Sequence, residues 1–216
     1  MDYQRLYQYR FRGVDQRPRQ AVWEVIARFL HRRMGEPKSI LDPAAGRCEF
    51  INAVPAAERW VVDAVSYAEG LGDPAVRRIV GDALAVELPV EHFEGVFVSN
   101  FLEHLADPDE VARFLERMRA ALAPGGRIAV LGPNFRYCAR EYFDCADHRL
   151  ALTHVSVEEH LYAAGFELLE SIPRFLPYSF RGALPASQLL TRAYLRLRPA
   201  WRLLGRQFLV IGRKQS

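Results

Sequence analysis

Residues 39–50, SILDPAAGRCEF, indicate the fold of this chain. The apolar run that ends at Leu41 predicts a buried strand, and the small residues after it predict a loop that leads into a helix. In open α/β sheets, such a loop lies at the edge where ligands bind. Asp63 ends the next predicted strand about 20 positions later, where a carboxylate can accept hydrogen bonds from a ribose diol. The two strand ends therefore predict a nucleoside-binding edge.

Strands and helices alternate on both sides of this loop. The apolar spacing predicts a helix at 18–34, strands at 60–63, 78–81, 94–99 and 127–132, and helices near 73–78 and at 108–123. It further predicts a helix around 156–164, a strand from Phe166, a helix near 186–197 and a last strand FLVIG. Strands separated by helical crossovers favour an α/β fold with a mostly parallel sheet covered on both faces.

Length and composition predict one globular domain over residues 1–216. We divide it into a helical extension at 1–36, a core at 37–173 and a basic segment at 174–216. No apolar run approaches the ~20 residues of a membrane span, and the start lacks a secretion signal, so we expect a soluble, cytoplasmic protein. The three cysteines form no CxxC pair, and we predict packing roles for them and no metal site.

Charge is segregated along the chain. Residues 1–38 carry nine Lys/Arg and four acids, and residues 174–216 carry nine and none. The tail at 189–208, LLTRAYLRLRPAWRLLGRQF, interleaves leucines and aromatics with five arginines. Such a tail suits a peripheral contact with a membrane or a lipid-linked substrate. A helix that packs on the sheet and solvates its arginines explains it without a membrane and is the favoured interpretation, and Pro199 interrupts any long interfacial helix.

Four further segments follow in a recognisable order: GDAL at 81–84, VFVSNFLEHL at 96–105, LAPGGRIAVLGPN at 122–134 and AAGFELLE at 163–170. Over residues 38–173, this order resembles the class I S-adenosylmethionine-dependent methyltransferases. The run GPNFRYCAREYFDCADHRLALTHVSVEEHLYAAGFE, followed by PRFLPYS, is similar to a segment of the methyltransferases of bacterial polysaccharide and glycosylation clusters.

The resemblance implies a Rossmann-like seven-stranded sheet with an antiparallel last strand pair, and S-adenosylmethionine as cofactor. It also implies cofactor contacts in three places. Asp42 with the loop residues Ala44 and Gly46 would flank the methionine part, Asp63 would bind the ribose, and Asp82, Ala83 and Leu84 would surround the adenine. Asn100, Phe101 and His104 would line the cofactor and substrate side.

The loop departs from the family pattern, because Ala44 and Cys48 flank Gly46 where glycines are usual. An alanine costs little if its φ is negative, whereas Cys48 at positive φ would be strained by ~1 kcal/mol or more. This leaves a non-catalytic cofactor-binding or partner-binding relative as an alternative. The single glycine also argues against a dinucleotide site, and no phosphate-loop, nucleophile-elbow or HExxH motif occurs.

Methyl transfer is an in-line displacement that needs alignment, and a neutral hydroxyl acceptor also needs a base. His148 is the first candidate, because Asp144 and Asp147 precede it and a carboxylate such as Asp147 can fix the imidazole tautomer. His104 is the second candidate and His154 the third. For each of them, a structural role in a polar loop or helix cap is the competing interpretation.

The loop at 134–154 is the expected acceptor wall. Its candidate substrate contacts are Asn134, Arg136, Tyr137 and Tyr142. For Asn134 a turn residue is the other interpretation, and for the remaining three it is a loop that packs over the sheet edge. We therefore expect O-methylation of a small-molecule or saccharide hydroxyl, with a nitrogen or carbon acceptor as the alternative. Nucleic acid is not the expected partner, since SNFLEH replaces the [DNS]PP[YFW] tetrapeptide of amino-methylating enzymes.

Overall fold

A seven-stranded sheet forms the centre of the protein in the computed structural model, which describes residues 2–12, 16–64, 73–178 and 187–215. Its strands are β1 (Ser39–Asp42), β2 (Glu58–Asp63), β3 (Arg77–Val80), β4 (Phe93–Ser99), β5 (Leu122–Pro133), β6 (Phe166–Ile172) and β7 (Gln207–Lys214). The order is β3-β2-β1-β4-β5-β7-β6. The first five strands are parallel, and β7 runs antiparallel to both β5 and β6. This confirms the expected fold class.

Eight helices surround the sheet in the described ranges. They are α1 (Tyr3–Arg10), α2 (Gln16–Arg33), α3 (Glu49–Ala53), α4 (Pro108–Ala121), α5 (Phe135–Tyr142), α6 (His154–Ala163), α7 (Gln188–Arg196) and α8 (Arg198–Leu204). A short 3-10 turn, Leu102–His104, follows β4. No helix in the described part of the chain is both long and apolar enough to cross a bilayer.

The helix expected near 73–78 is wrong. The chain turns at residues 73–76 and then enters β3 at Arg77. The turn forms because the Asp73 carboxylate accepts a hydrogen bond from the Ala75 amide at 2.9 Å and pairs with Arg59 at 2.9 Å, which holds the chain ahead of the strand. Ser179 of the quoted PRFLPYS segment and Ala186 of the expected helix at 186–197 lie outside the described residues.

Helix α4 shows why the sequence pattern was readable. Asp107 caps its first turn by accepting a hydrogen bond from the Glu110 amide, and Pro108 occupies the first turn. Its apolar face is buried, as the spacing predicted, through Val111, Phe114, Leu115 and Met118. With α6 it covers one face of the sheet, while α2, α3, α7 and α8 contribute to the apolar layer on the other face.

The described helices leave the carboxyl ends of the central strands β1 and β4 accessible. Strands β1 and β4 are neighbours in space although β2 and β3 lie between them in the sequence. Connections leave these two strands towards opposite sides, which creates a crevice at their carboxyl ends. The fold therefore places the SILDPAAGRCEF loop beside the SNFLEH turn that follows β4.

Candidate functional site

A cavity of ≈ 790 Å³ occupies this crevice. Its size falls within the range of small-molecule and cofactor sites. Its lining combines the loop after β1 and the end of β4 with the turn after β4 and the segment that follows α5. Lining residues used below are Asp42, Ala44, Gly46, Asn100, Glu103, His104, Cys145 and His148.

The loop after β1 is built for close approach by a ligand. Gly46 has φ +50°, and a Cβ placed there would meet no atom within 4 Å, so the space beside it is open. The Gly46 amide donates to the Asp63 carboxylate at 2.8 Å, and the Ala44 amide approaches the Asp42 carboxylate at 3.4 Å. The structure thus brings Asp42, Ala44, Gly46 and Asp63 together, as the sequence predicted.

The two departures from the usual loop differ in cost. Ala44 has no positive φ, so its methyl group is accommodated without backbone strain. Cys48 lies in the left-handed region at φ +59° and is completely buried at the start of α3. A non-glycine residue in this conformation costs about 1 kcal/mol or more. The strain therefore lies at Cys48, away from the open space beside Gly46.

Asp42 is the most strongly perturbed carboxyl group of this wall. It is 2 % exposed at the end of β1, and burial raises the pKa of Asp42 to about 8, with the Asp63 charge acting in the same direction. A positively charged ligand group would reverse this shift, since an opposite charge favours the ionised carboxylate. The wall is consequently suited to a cationic group.

Asp63 and Leu84 are absent from the cavity lining of the described residues, and three further expected cofactor contacts lie elsewhere or are directed inward. Asp82 is exposed and accepts a hydrogen bond from the Leu84 amide at 2.9 Å. The Ala83 side chain belongs to the buried core, and Phe101 packs against Phe114 with ring centroids 4.9 Å apart. None of the three lines the cavity formed by the described residues. Asn100 does line it, at φ +49° and with its side chain donating to Ser99 Oγ.

Elsewhere in the cavity lining, the turn after β4 is fastened to the loop after α5. The Glu103 carbonyl oxygen accepts hydrogen bonds from the Arg149 and Leu150 amides at 2.8 and 3.1 Å. These bonds bring His148 beside Glu103, with His148 Nε2 4.0 Å from Glu103 Oε1. The imidazoles of His104 and His148 lie with ring centroids 5.0 Å apart. We call Glu103, His104 and His148 the polar cluster.

Asp147 orients a different histidine from the one expected. His104 Nδ1 lies 3.0 Å from the Asp147 carbonyl oxygen and 3.5 Å from its carboxylate. Because a carbonyl oxygen only accepts, Nδ1 carries the proton and the neutral ring keeps its lone pair on Nε2. Asp147 also accepts a hydrogen bond from Arg10 of α1. The expected Asp147–His148 pairing is therefore corrected to Asp147–His104.

The polar cluster is poorly solvated. Burial lowers the pKa of His148 to about 4, so its ring is neutral near pH 7, and burial raises the pKa of Glu103. Burial is the largest influence on Asp147 and opposes its ionisation, but the hydrogen bond from Arg10 and the electrostatic attraction of His104 and Arg10 together outweigh it and lower the pKa of Asp147. Glu103 Oε1 and His148 Nδ1 are buried without a hydrogen-bond partner among the described residues.

Asn134 and Tyr142 were expected to contact the acceptor, but both side chains are completely buried, so this expectation is corrected. Asn134 Nδ2 donates to His154 Nδ1 at 3.0 Å and to the Pro173 carbonyl oxygen at 2.8 Å. The Tyr142 hydroxyl donates to the Leu150 carbonyl oxygen at 2.7 Å and accepts from the Leu152 amide. Both side chains hold the loop together from inside. His154 Nδ1 accepts the hydrogen bond from Asn134, and His154 does not line the cavity.

Arg136 and Tyr137 also lie away from the cavity lining. Arg136 is exposed on α5, and the Tyr137 ring lies under the Arg174 guanidinium, 4.9 Å from its centroid. The first turns of α5 therefore face solvent and the segment after β6. The expected acceptor wall at 134–154 contributes to the cavity through its later part, which includes Cys145 and His148.

Sequence reasoning missed the contribution of the N-terminal helix. Tyr7 and Arg10 of α1, together with Phe11 and Tyr178, line the cavity. Burial raises the pKa of Tyr7 to about 12, and Arg10 reaches Asp147 across 137 positions of sequence. The dense alternation of aromatic and basic residues in YQRLYQYRFR was the available signal, although no motif spacing connects it to the sheet edge.

Comparisons with known proteins agree with this geometry. Residues 41–130 match the family model described as a methyltransferase domain. No curated protein matches the chain at a significant level. The fold is similar to that of a SAM-dependent methyltransferase from Archaeoglobus fulgidus (TM-score 0.64, 20% identity, covering 99% of this chain and 100% of that one).

Two other solved structures share the fold with different chemistry. The N-methyltransferase NodS from Bradyrhizobium japonicum WM9 has a TM-score of 0.61 at 15% identity, covering 90% of this chain and 97% of that one. The [4+2]-cyclase SpnF has a TM-score of 0.61 at 18% identity, covering 89% and 81%. The fold alone therefore leaves the acceptor chemistry open.

The family match spans β1 to most of β5, which includes the loop after β1 and the turn after β4 that line the cavity. The strand order agrees with the sheet expected for that family. Residues 41–130 thus match a methyltransferase domain, and the chain has a fold similar to that of a SAM-dependent methyltransferase.

Proposed function

We propose that this protein transfers the methyl group of S-adenosylmethionine to a hydroxyl of a small-molecule or saccharide acceptor. The observation that carries the proposal is the composition of one cavity. Its β1 wall holds the open Gly46 loop and the buried Asp42, while its other wall holds the polar cluster. A cationic cofactor and a hydroxyl that must lose a proton need these two different environments side by side.

The bound cofactor supplies a sulfonium methyl group. The acceptor oxygen forms a bond to that methyl carbon while the carbon–sulfur bond breaks, and the bonding electron pair returns to sulfur. The hydroxyl proton must leave the oxygen as this bond forms. The polar cluster lines the same cavity as the Asp42 loop, so we assign activation of the hydroxyl to it.

His104 is the best-positioned member of the cluster for this task. Asp147 holds its Nδ1 proton, which leaves the lone pair of the neutral ring on Nε2. His148 is also available as a neutral imidazole near pH 7, because its pKa is about 4. The sequence predicted His148 as the first candidate base and His104 as the second. Both belong to the polar cluster, and Asp147 orients His104.

The saccharide acceptor is supported by the resemblance of residues 132–179 to enzymes of polysaccharide and glycosylation clusters. A nitrogen acceptor is the nearest alternative. Aromatic side chains of α1 and Tyr178 border the same cavity and can stack on a sugar ring. We assign a ring-shaped, hydroxyl-bearing acceptor to this border.

The C-terminal helices support a membrane-surface or lipid-linked location of that acceptor. Leu189 and Leu203 are 75 % and 78 % exposed, and Leu197 is 58 % exposed. Arg196, Arg198 and Arg202 are exposed between them. Leucines interleaved with arginines bind anionic bilayers through apolar burial and charge attraction together.

A non-catalytic cofactor-binding protein is the second candidate function. Cys48 favours it, because the residue introduces backbone strain into the segment that shapes the cofactor loop. This candidate retains cofactor binding and lacks turnover. The two functions therefore differ in one measurement, the appearance of S-adenosylhomocysteine in the presence of acceptors.

The first experiment is a calorimetric titration with S-adenosylmethionine and S-adenosylhomocysteine. We expect micromolar binding that Asp63→Ala weakens by at least ~10-fold, because Asp63 fixes the Gly46 amide. His92→Ala is the matched control, since His92 lies at the amino end of β4 and pairs with Glu58. Absence of binding at millimolar ligand would contradict the proposal.

Transfer of a labelled methyl group to a panel of sugars, phenols and amines then identifies the acceptor. We expect a hydroxyl acceptor, and we expect His104→Ala to lower kcat by ~100-fold or more, the usual size of general-base effects. Cofactor binding without labelling of any acceptor would favour the non-catalytic protein over O-methylation. Labelling of amines alone would show a nitrogen acceptor in place of a hydroxyl.

A further inference from the structure

The polar cluster combines two imidazoles and one carboxylate within a small volume. One ligand atom from each of Glu103, His104 and His148 lies within 4.8 Å of the others. A set of two histidines and one glutamate is a known donor set of catalytic zinc, and mixed nitrogen and oxygen donors suit first-row divalent cations. Magnesium prefers oxygen ligands alone and fits this set less well.

Two buried atoms of the polar cluster have no hydrogen-bond partner among the described residues. Glu103 is 2 % exposed, yet its Oε1 makes no hydrogen bond in the described part of the protein, and the same holds for His148 Nδ1. An unsatisfied buried carboxylate oxygen is costly, and native structures usually satisfy such atoms. A cation between the three residues would remove this cost for the carboxylate.

His104 has the tautomer that a metal ligand needs. Its Nδ1 donates to the Asp147 carbonyl oxygen, with the Asp147 carboxylate 3.5 Å away, so the lone pair of the neutral ring is on Nε2. Metal-binding histidines typically donate their other nitrogen to a carboxylate or carbonyl group in this way. Arg10 neutralises Asp147 and leaves the Glu103 carboxylate to balance the cation.

We propose that Glu103, His104 and His148 form a binding site for a first-row divalent cation such as Zn²⁺. Three ligands at about 2.1 Å from one ion lie about 3.4 Å apart in a tetrahedral arrangement. His148 Nε2 and Glu103 Oε1 are 4.0 Å apart, and no two of the three ligand atoms are more than 4.8 Å apart, so side-chain movements of about 0.6 to 1.4 Å close the set. The fourth position faces the cavity, where the acceptor hydroxyl would bind.

The role of this cation deepens the proposed function and rests on it. With the cation bound, His104 Nε2 is a ligand and not the base, and a hydroxyl bound to the cation loses its proton more readily, as bound water does. The proton passes to solvent at the mouth of the cavity, and the resulting alkoxide attacks the methyl carbon. Binding of the cation itself does not depend on methyl transfer, so it can be tested separately.

The test uses the full chain, dialysed against chelator and studied without cofactor. Zn²⁺ binding is measured by calorimetry, and Co²⁺ replaces it as a spectroscopic probe of the ligand geometry. We expect one site per chain and visible Co²⁺ absorption bands that Zn²⁺ displaces. Glu103→Gln preserves shape and removes the charge, and we expect it to weaken Zn²⁺ binding by at least ~10-fold, as His148→Ala also should.

His92→Ala is the control that should bind Zn²⁺ like the unmodified protein, and circular dichroism shows whether each variant folds. Absence of Co²⁺ bands, or equal Zn²⁺ affinity in Glu103→Gln, would overturn the site. A protein that binds Zn²⁺ and not S-adenosylmethionine would keep the site and lose the proposed function. Methyl transfer unchanged by chelator would overturn the catalytic role of the cation.

Discussion

At the scale of single residues, the fold sets the pKa of Asp42, and this pKa in turn affects ligand binding. Its position at the end of β1 buries a carboxyl group that the loop amide of Ala44 only partly compensates. The pKa of about 8 means that the protein by itself holds much of this group protonated near pH 7. A bound cation, such as the sulfonium or ammonium group of the cofactor, shifts the group towards its charged form.

We therefore expect cofactor affinity to rise with pH. Binding releases a proton from Asp42 below its pKa, so affinity should increase between pH 6 and 8 by up to about tenfold per pH unit. Calorimetry in buffers of different ionisation enthalpy checks the proton release. Asp42→Asn should bind more weakly at pH 8 and show a flat profile, and a flat profile in the unmodified protein would contradict this account.

The three cysteines should differ in reactivity. Cys48 and Cys138 are buried, and burial raises the pKa of each thiol to about 12, whereas Cys145 is partly exposed and borders the cavity. We expect iodoacetamide to label Cys145 first in the folded protein, because the thiolate is the reactive form. Peptide mass spectrometry checks this, with the denatured chain as the control in which all three react. Faster labelling of Cys48 would show that the loop after β1 opens.

At the scale of secondary-structure elements, Asn134 connects three segments. It caps α5 by accepting from the Arg136 amide, and it donates to His154 of α6 and to the Pro173 carbonyl oxygen after β6. All of these bonds are made by one completely buried side chain. The residue that looked like an acceptor contact at the sheet edge is thus a structural junction.

We expect Asn134→Ala to lower the free energy of unfolding by about 2–3 kcal/mol, since it removes a helix cap and leaves buried partners unsatisfied. Urea denaturation measures the change. Arg136→Ala, on the exposed face of the same helix, should change stability by no more than about 0.5 kcal/mol. A variant that keeps full stability and loses only acceptor affinity would restore Asn134 to the substrate site.

At the scale of the whole molecule, charge and apolar surface are concentrated on α7 and α8. Residues 174–216 contain nine basic residues and no acid, four of the nine lie on these two helices, and the exposed leucines lie among these four arginines. The packed sides of the helices, through Leu195 and Trp201, belong to the core on one face of the sheet. The two helices therefore have one buried and one exposed apolar side.

We expect the protein to co-sediment with vesicles that contain phosphatidylglycerol and not with phosphatidylcholine alone. Each arginine near an anionic surface contributes about 1 kcal/mol, so Arg196→Gln with Arg202→Gln should reduce partitioning by roughly 30-fold. Leu203→Ser should reduce it further, whereas Arg113→Gln on exposed α4 should have little effect. If the α4 control loses as much vesicle binding, or if the protein does not sediment with anionic vesicles, the arginines of α7 and α8 only interact with solvent.

The sequence by itself determined the sheet, helices α2, α4, α6 and α7, and the β1 loop, but it predicted no helix at α5 or α8. Strand and helix periodicity reflects burial of local side chains, and Asp42, Gly46 and Asp63 are placed by strand ends that any parallel sheet brings to one edge. The exception at residues 73–78 followed from a local competitor, the Asp73 side chain, which bonds the backbone in a turn.

Only the tertiary structure decided the chemistry of the polar cluster. Asp147 precedes His148 directly, yet the loop conformation turns its carboxylate towards His104 and Arg10. Glu103 meets His148 because two backbone hydrogen bonds fasten the loop to the turn after β4. The contacts of the polar cluster with the loop after α5 join residues more than 40 positions apart, and those of Asn134 and Tyr142 with other segments join residues 8 to 39 positions apart. All of them depend on side-chain directions that no periodicity encodes, so neither the polar cluster nor the burial of Asn134 and Tyr142 could be predicted from the sequence.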